Sequence, residues 1–216
     1  MARIIVENRI RKEIGKNSRG KIYFVDDFFD FGNPDAANKA LQRLDEKGFL
    51  IRIATGIYLY PVIDEEIGIV FPAIEEIAMA VAKRDRARIF PTGSYAVNKI
   101  GLSTQVPVNA VFITDGAART IKIGRRNIKF KKTSPKNLLL KGPVSGLIIQ
   151  ALKEIGKNNV NAEQLKRIYD LLENESEENI KHDAKLVPVW IRKIIMESLK
   201  NGNTGKLDKN SGKEKN

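Results

Sequence analysis

The stretch from Asn33 to Gly48 carries the signals for both ends of a helix, and this constrains the rest of the chain. Asn33 can cap a helix N-terminus, and Pro34 suits the first helical position. Lys47-Gly48 is a stop signal. Between them Ala37, Ala40, Leu41 and Leu44 fall on one stripe, while Asn38, Lys39, Gln42, Arg43 and Glu46 fall on the other side. Such a helix has to bury its apolar stripe against other elements.

The flanking residues supply those elements. Ile4, Ile5, Ile10 and Ile14 recur at helical spacing, with Gly15 at the end. Gly20–Phe24 reads as a short strand, and Asp26-Asp27-Phe28-Phe29 opens a short helix with acids in its first turn, where the dipole favours them. Phe49–Ile53 and Ile57–Pro61 are strand-like runs joined by Ala54-Thr55-Gly56, where Gly56 can take the positive φ of a tight turn. The order helix, strand, helix, helix, hairpin predicts a winged helix-turn-helix over residues 1–61.

Residues 62–200 read as a second, mixed domain with a small antiparallel sheet and C-terminal helices, so the fold class is α+β. Pro72 opens a helix whose stripe is Ala73, Ile77, Ala80 and Val81. Ile89–Ala96 is a strand and turn leading into a short helix, with Ser94 as its cap and Gly101 as its stop. Ala110–Thr114, Arg119–Ile123 and Asn127–Lys131 are strands. In the last two, Ile121, Ile123, Ile128 and Phe130 point inward while Lys122, Lys129 and Lys131 face solvent. Helices follow at Val144–Ile155, Ala162–Leu172 and Lys185–Leu199, with the acidic run Glu173–Glu178 between the second and third. Residues 201–216 hold one apolar side chain, Leu207, and read as a disordered tail.

Composition narrows the chemistry. With no cysteine there is no disulfide, thiolate metal site or thiol nucleophile, and the single His182 rules out a multi-histidine metal site. No P-loop or GxGxxG motif occurs. A Ser-His-Asp arrangement would need His182, which reads as a solvated residue in a polar stretch. Pro91-Thr92-Gly93-Ser94-Tyr95 has the Gly-Ser pair of a nucleotidyltransferase turn, but no acid follows until Asp115, and that chemistry needs paired metal-binding carboxylates. The expectation is therefore a protein without enzymatic activity, cofactor or metal. No apolar run approaches ~18 residues, so no membrane span is expected. The N-terminus has no apolar core of a signal peptide, so a cytoplasmic protein is expected.

Lys and Arg number 38 against 26 Asp and Glu, giving a formal charge of +12. Such a surplus favours a polyanionic partner. Residues 1–61 carry +3, residues 62–142 carry +7 and residues 143–216 carry +2. Asn38, Gln42 and Arg43 are side-chain types that read adenine and guanine edges in the major groove. Lys39, Arg52, Thr55, Arg19 and Lys21 are candidates for phosphate and groove contacts. A second basic surface is expected from Arg119, Lys122, Arg125, Arg126, Lys129, Lys131 and Lys132. The competing reading is a protein-interaction module whose basic sheet binds an acidic partner without DNA.

Gly56-Ile57-Tyr58-Leu59-Tyr60-Pro61, closing the wing, is similar to the N-terminal domain of AbiEi-type antitoxins. Pro91–Ala96, then Gly101-Leu102-Ser103-Thr104-Gln105-Val106-Pro107 and Phe112-Ile113-Thr114-Asp115-Gly116, resembles the second-domain signature of one branch of that family. The resemblance covers about residues 1–200. It implies a type IV antitoxin of abortive infection that counters a nucleotidyltransferase-like toxin. It also implies a transcriptional repressor of its own operon, binding inverted repeats in double-stranded DNA through the winged helix. The 91–107 motifs read first as structural turns, with Gly93 permitting a tight turn, and alternatively as a partner-contact site.

Overall fold

The computed structural model describes residues 2–210, with side chains over residues 6–200. The chain is α+β, with small antiparallel sheets and a helical C-terminal part. It divides into two compact units, Met1–Arg84 with Ile121–Ile128, and Asp85–Thr120 with Lys129–Asn216. The first division falls at Arg84, beyond the boundary at 61 expected from the sequence.

The first unit opens with α1 (Ala2–Gly15), β1 (Ile22–Phe24), a 3-10 turn (Val25–Phe31), α2 (Pro34–Glu46), β2 (Ile51–Ala54) and β3 (Ile57–Leu59). This is the element order on which the winged reading rests. Asn33 Oδ1 accepts the Ala36 N–H at 2.8 Å, the expected cap. Ala37, Ala40, Leu41 and Leu44 are fully buried and form a core with Ile10, Ile14, Tyr23, Phe28 and Tyr58. β3 lies between β1 and β2, antiparallel to both, with Leu59 opposite Ile22 on one side and Ile51 on the other. Gly56 turns the chain at φ 72°.

A second hairpin follows that the sequence did not announce: β4 (Val62–Asp64) and β5 (Gly68–Val70). Its three-residue arms are too short to show an alternating pattern. Asp64 Oδ1 accepts the N–H groups of Glu66 and Ile67, and Gly68 sits at φ 76°, so the turn is built by side chain and glycine together. In α3 (Ile74–Arg84) the buried stripe is Ile77, Ala78, Val81 and Ala82. Ala73, expected on it, precedes the helix and is exposed, and Ala80 is only half-buried, at the stripe's margin.

The largest sheet runs β6 (Ile89–Thr92), β7 (Asn109–Thr114), β9 (Arg126–Lys132), β8 (Arg119–Ile123). Between β6 and β7 lies α4 (Gly93–Lys99). It starts at Gly93, at φ 64°, so Ser94 stands inside the helix and does not cap it. The expected alternation holds fully in β9, where Ile128 and Phe130 are buried and Lys129 and Lys131 exposed, and in part in β8, where Lys122 is exposed but Ile121 and Ile123 are only half-buried.

The remainder is helical: α5 (Pro143–Ile155), α6 (Ala162–Leu172), α7 (Glu177–Ala184) and α8 (Val189–Asn210). Their core includes Ile148, Ile149, Leu152, Ile168, Leu172, Ile180, Ile191 and Ile195. α7 rises from part of the acidic run. Ser176 caps it, and Glu177 and Glu178 lie in its first turn, where the dipole stabilises them. The last helix starts after Pro188 instead of at Lys185, and its backbone runs past Leu199 to Asn210. Extending an existing helix costs little per residue, so polar residues 201–210, expected to be disordered, continue it. Residues 211–216 of the expected tail lie outside the described residues.

The N-terminus of α5 is held by two carboxylates. Asp183, fully buried, accepts the N–H groups of Lys141 (2.8 Å) and Gly142 (3.1 Å) and the Ser145 hydroxyl (2.6 Å). Glu175 accepts the N–H groups of Val144 and Ser145. Burial raises the Glu175 pKa, but hydrogen bonds from Asn179, Val144, Ser145 and Ser176 outweigh it and leave the carboxyl below its ordinary value. No helix among the described residues is long and apolar enough to cross a membrane.

Candidate nucleic-acid interface

The cap at Asn33 and the buried stripe fix the roll of α2, and the roll decides which side chains reach solvent. Asp35, Asn38, Lys39, Gln42 and Glu46 are exposed. Asn38, Lys39 and Gln42 lie within one turn of the helix and are free to meet a ligand surface. Beside them a cleft of about 330 Å³ is lined by Asn33, Asp35, Ala36, Lys39 and Arg43. On the β2–β3 hairpin Arg52 and Thr55 are exposed, and Asp45 Oδ1 accepts the Arg52 backbone N–H.

Arg43 differs from its neighbours. It is half-buried, and its Nε donates to Glu7 Oε2 at 2.7 Å. Lys47 donates to the other oxygen of the same carboxylate. Glu7 is 7% exposed, so α1 contributes a nearly buried anion clamped by Arg43 of α2 and by Lys47, the residue that caps its end. These hydrogen bonds, Lys47's first and Arg43's next, hold the Glu7 carboxyl below its ordinary value. The expectation that Arg43 reads a base edge is therefore revised: its Nε is spent on an internal pair. Glu7 could have been found in the sequence, since it shares the Ile10 and Ile14 stripe, and a carboxylate on an apolar stripe needs a partner.

Arg19 and Lys21 are exposed but locally engaged. Arg19 donates to the Pro61 carbonyl at 2.9 Å and stacks on Tyr60, and Lys21 donates to Asn17 and lies over Tyr23.

The second basic region is reduced in the same way. Lys122, Arg125, Lys129, Lys131 and Lys132 are exposed. Arg119 is half-buried, pairs with Asp85 and packs against Phe130, and Arg126 is also half-buried. Sequence alternation separated the lysines correctly but could not see that the two arginines would be drawn in.

The motifs at 91–107 come together. Ser94 and Val97 line a cavity of about 270 Å³ with Ser103, Gln105, Val106, Pro107 and Glu154. The loop is tied by Asn98 donating to the Ser103 carbonyl, and Thr92 donates to buried Gln150. Asp115 accepts both the backbone and side-chain N–H of Arg88, whose side-chain bond is the larger cause of its lowered pKa.

His182 is half-buried on α7, contrary to the solvated position expected of it, and its Nδ1 lies 2.9 Å from Asp183 Oδ1. Ser145, Asp183 and His182 thus converge. The serine, however, donates to the carboxylate and not to the imidazole, and that carboxylate also accepts the backbone N–H groups that open α5. Nucleophilic catalysis requires the base on the hydroxyl, so this arrangement serves the helix end. Among the described residues no three His, Asp or Glu side chains are grouped to hold a metal ion.

No curated protein matches the chain. The crystal structure of the RV2827C protein from Mycobacterium tuberculosis is similar at 11% identity and a TM-score of 0.44, over 88% of this chain and 80% of that one. A family model matches residues 9–180, and the chain belongs to that family, DUF6088, a family of unknown function.

Proposed function

We propose that the protein binds double-stranded DNA through α2 and the β2–β3 hairpin and acts in the cytoplasm as the self-repressing antitoxin of a type IV toxin–antitoxin pair, without catalysing a reaction. The observation that carries the DNA part is the exposed trio Asn38, Lys39 and Gln42 on a helix whose opposite stripe is wholly buried. Asn and Gln can bond adenine bidentately, and Lys39, Arg52 and Thr55 suit the backbone. Arg43 is assigned to fixing the helix. The antitoxin part rests on the motif resemblance at 56–61 and 91–116, and its opponent is a nucleotidyltransferase-like toxin. A gel shift on the upstream region of its own operon tests the first part. Affinity is expected to fall steeply with salt, and no shift at low salt would exclude the DNA reading. Rescue of growth when the chain is co-expressed with the adjacent toxin tests the second.

The exposed lysines of β8 and β9 favour one alternative, a module that binds an acidic protein through this surface. It predicts that Lys129→Glu with Lys131→Glu abolishes partner capture while the chain never shifts DNA.

A further inference from the structure

The solvent side of α2 is built mainly of hydrogen-bond acceptors. At about 100° per residue, Asp35, Lys39, Gln42 and Glu46 fall within roughly 60° of arc, opposite the buried stripe, and Asn38 flanks them. All five are exposed, and among the described residues none makes a hydrogen bond or ion pair through its side chain. The Asp35 and Glu46 carboxylates only accept, the Asn38 and Gln42 amides accept and donate, and Lys39 alone carries a positive charge. Arg43, the side-chain type suited to guanine, is held by Glu7.

Phosphate repels the two carboxylates, so their place on the outward line needs another cause. The helix dipole favours Asp35, in the first turn, but opposes Glu46, the last residue of α2. Base edges supply a cause that covers both. In the major groove each base pair shows one exocyclic amino group, on adenine N6 or cytosine N4, beside a keto oxygen of thymine or guanine. An acceptor is drawn to the amino group and repelled by the keto oxygen. We propose that α2 selects DNA by these amino groups, with Asn38 and Gln42 on adenine and Asp35 and Glu46 on cytosine, so that the strand it faces carries A and C at the contacted positions. From Asp35 to Glu46 the helix spans about 16 Å, or roughly four to five base pairs at about 3.4 Å each. The inference rests on the DNA reading and adds to it which bases are read. The carboxylates supply discrimination by rejecting wrong bases, and attraction to the backbone falls to Lys39 and the hairpin.

Selection of duplexes from a random-sequence library by the full-length chain tests it. The expected motif has A and C on one strand across the block that α2 covers. Gln42→Arg should change one adenine of that block to guanine, and Glu46→Gln should change one cytosine to adenine, with unchanged circular dichroism in both. Replacing the adenine at the Gln42 position by purine, which lacks the amino group, should lower the affinity of the unaltered chain about tenfold or more. This last measurement needs no variant to fold once the motif is known. A motif with guanine or thymine at the positions that the variants alter overturns the inference and leaves the DNA reading standing. So does a motif that neither variant alters, or a purine duplex bound as tightly as the parent. Recovery of no motif overturns both.

Discussion

Glu7 Oε2 accepts a hydrogen bond from Arg43 Nε at 2.7 Å, so an ion pair joins α1 to α2, the helix proposed to meet DNA, beside their shared apolar core. The Glu7 carboxyl titrates below its ordinary value, chiefly because Lys47 and then Arg43 donate to it. A depressed folded pKa contributes stability that is complete above the unfolded carboxyl value and lost as pH falls through the folded one. Denaturant midpoints measured from neutral to acidic pH should fall less in Glu7→Gln than in the parent chain, the remaining loss coming from other depressed carboxyls such as Glu175. At neutral pH Glu7→Gln should cost about 1–3 kcal/mol, less than a fully buried pair because Lys47 remains 58% exposed and rehydrates.

On α2 the exposed and the clamped residues should behave differently. Asn38→Ala or Gln42→Ala is expected to weaken specific operator binding by ~1–3 kcal/mol with unchanged stability. Lys39→Ala should weaken binding to all sequences and lower the salt slope by about 1. Arg43→Ala should instead reduce stability, with little loss of base preference. Fluorescence anisotropy on operator and scrambled duplexes, beside thermal denaturation, separates these outcomes.

The α5 cap predicts a ranked pair of losses. Asp183→Ala strands two backbone N–H groups and the Ser145 hydroxyl, and should destabilise the chain by about 3 kcal/mol or more, since each buried orphan costs roughly 1–3. Ser145→Ala should cost less, because the backbone donors keep their acceptor. Guanidinium unfolding of both variants orders them, and equal losses would contradict the arrangement.

Gly146 lies inside α5, where alanine normally stabilises a helix by up to ~1 kcal/mol. Here a Cβ would meet Phe90 Cζ at 2.6 Å. Gly146→Ala should therefore destabilise by about 1–3 kcal/mol. Its partner variant Phe90→Leu should recover part of the loss in a double-mutant cycle.

What could be read from the sequence was whatever a local rule specifies. The Asn33 cap, the stripe Ala37–Leu44, the turn at Gly56 and the lysine alternation of β8 and β9 each depend on neighbours a few residues away. What could not be read depended on distant partners. Arg43 looks like a reader until Glu7 is folded against it, and Arg119 looks solvent-facing until Asp85 takes it. His182 looks solvated until α7 forms across the polar stretch between the second and third expected helices. The β4–β5 hairpin was missed for a different reason: its arms are short and its apolar residues point outward, so no burial pattern marked it.

The pairing of Ile22 with Leu59 has a consequence for biosynthesis. β3 supplies the ladder for both β1 and β2, yet it is the last of the three to leave the ribosome. Until then the first strand has no hydrogen-bonding partner, and the apolar stripes of α1 and α2 have only each other and the aromatic side chains between them, such as Phe28. The N-terminal head thus becomes cooperative in one late event, once residues near Pro61 have cleared the exit tunnel, and a polypeptide stalled before Ile57 would expose its aromatic core residues to chaperones and proteases.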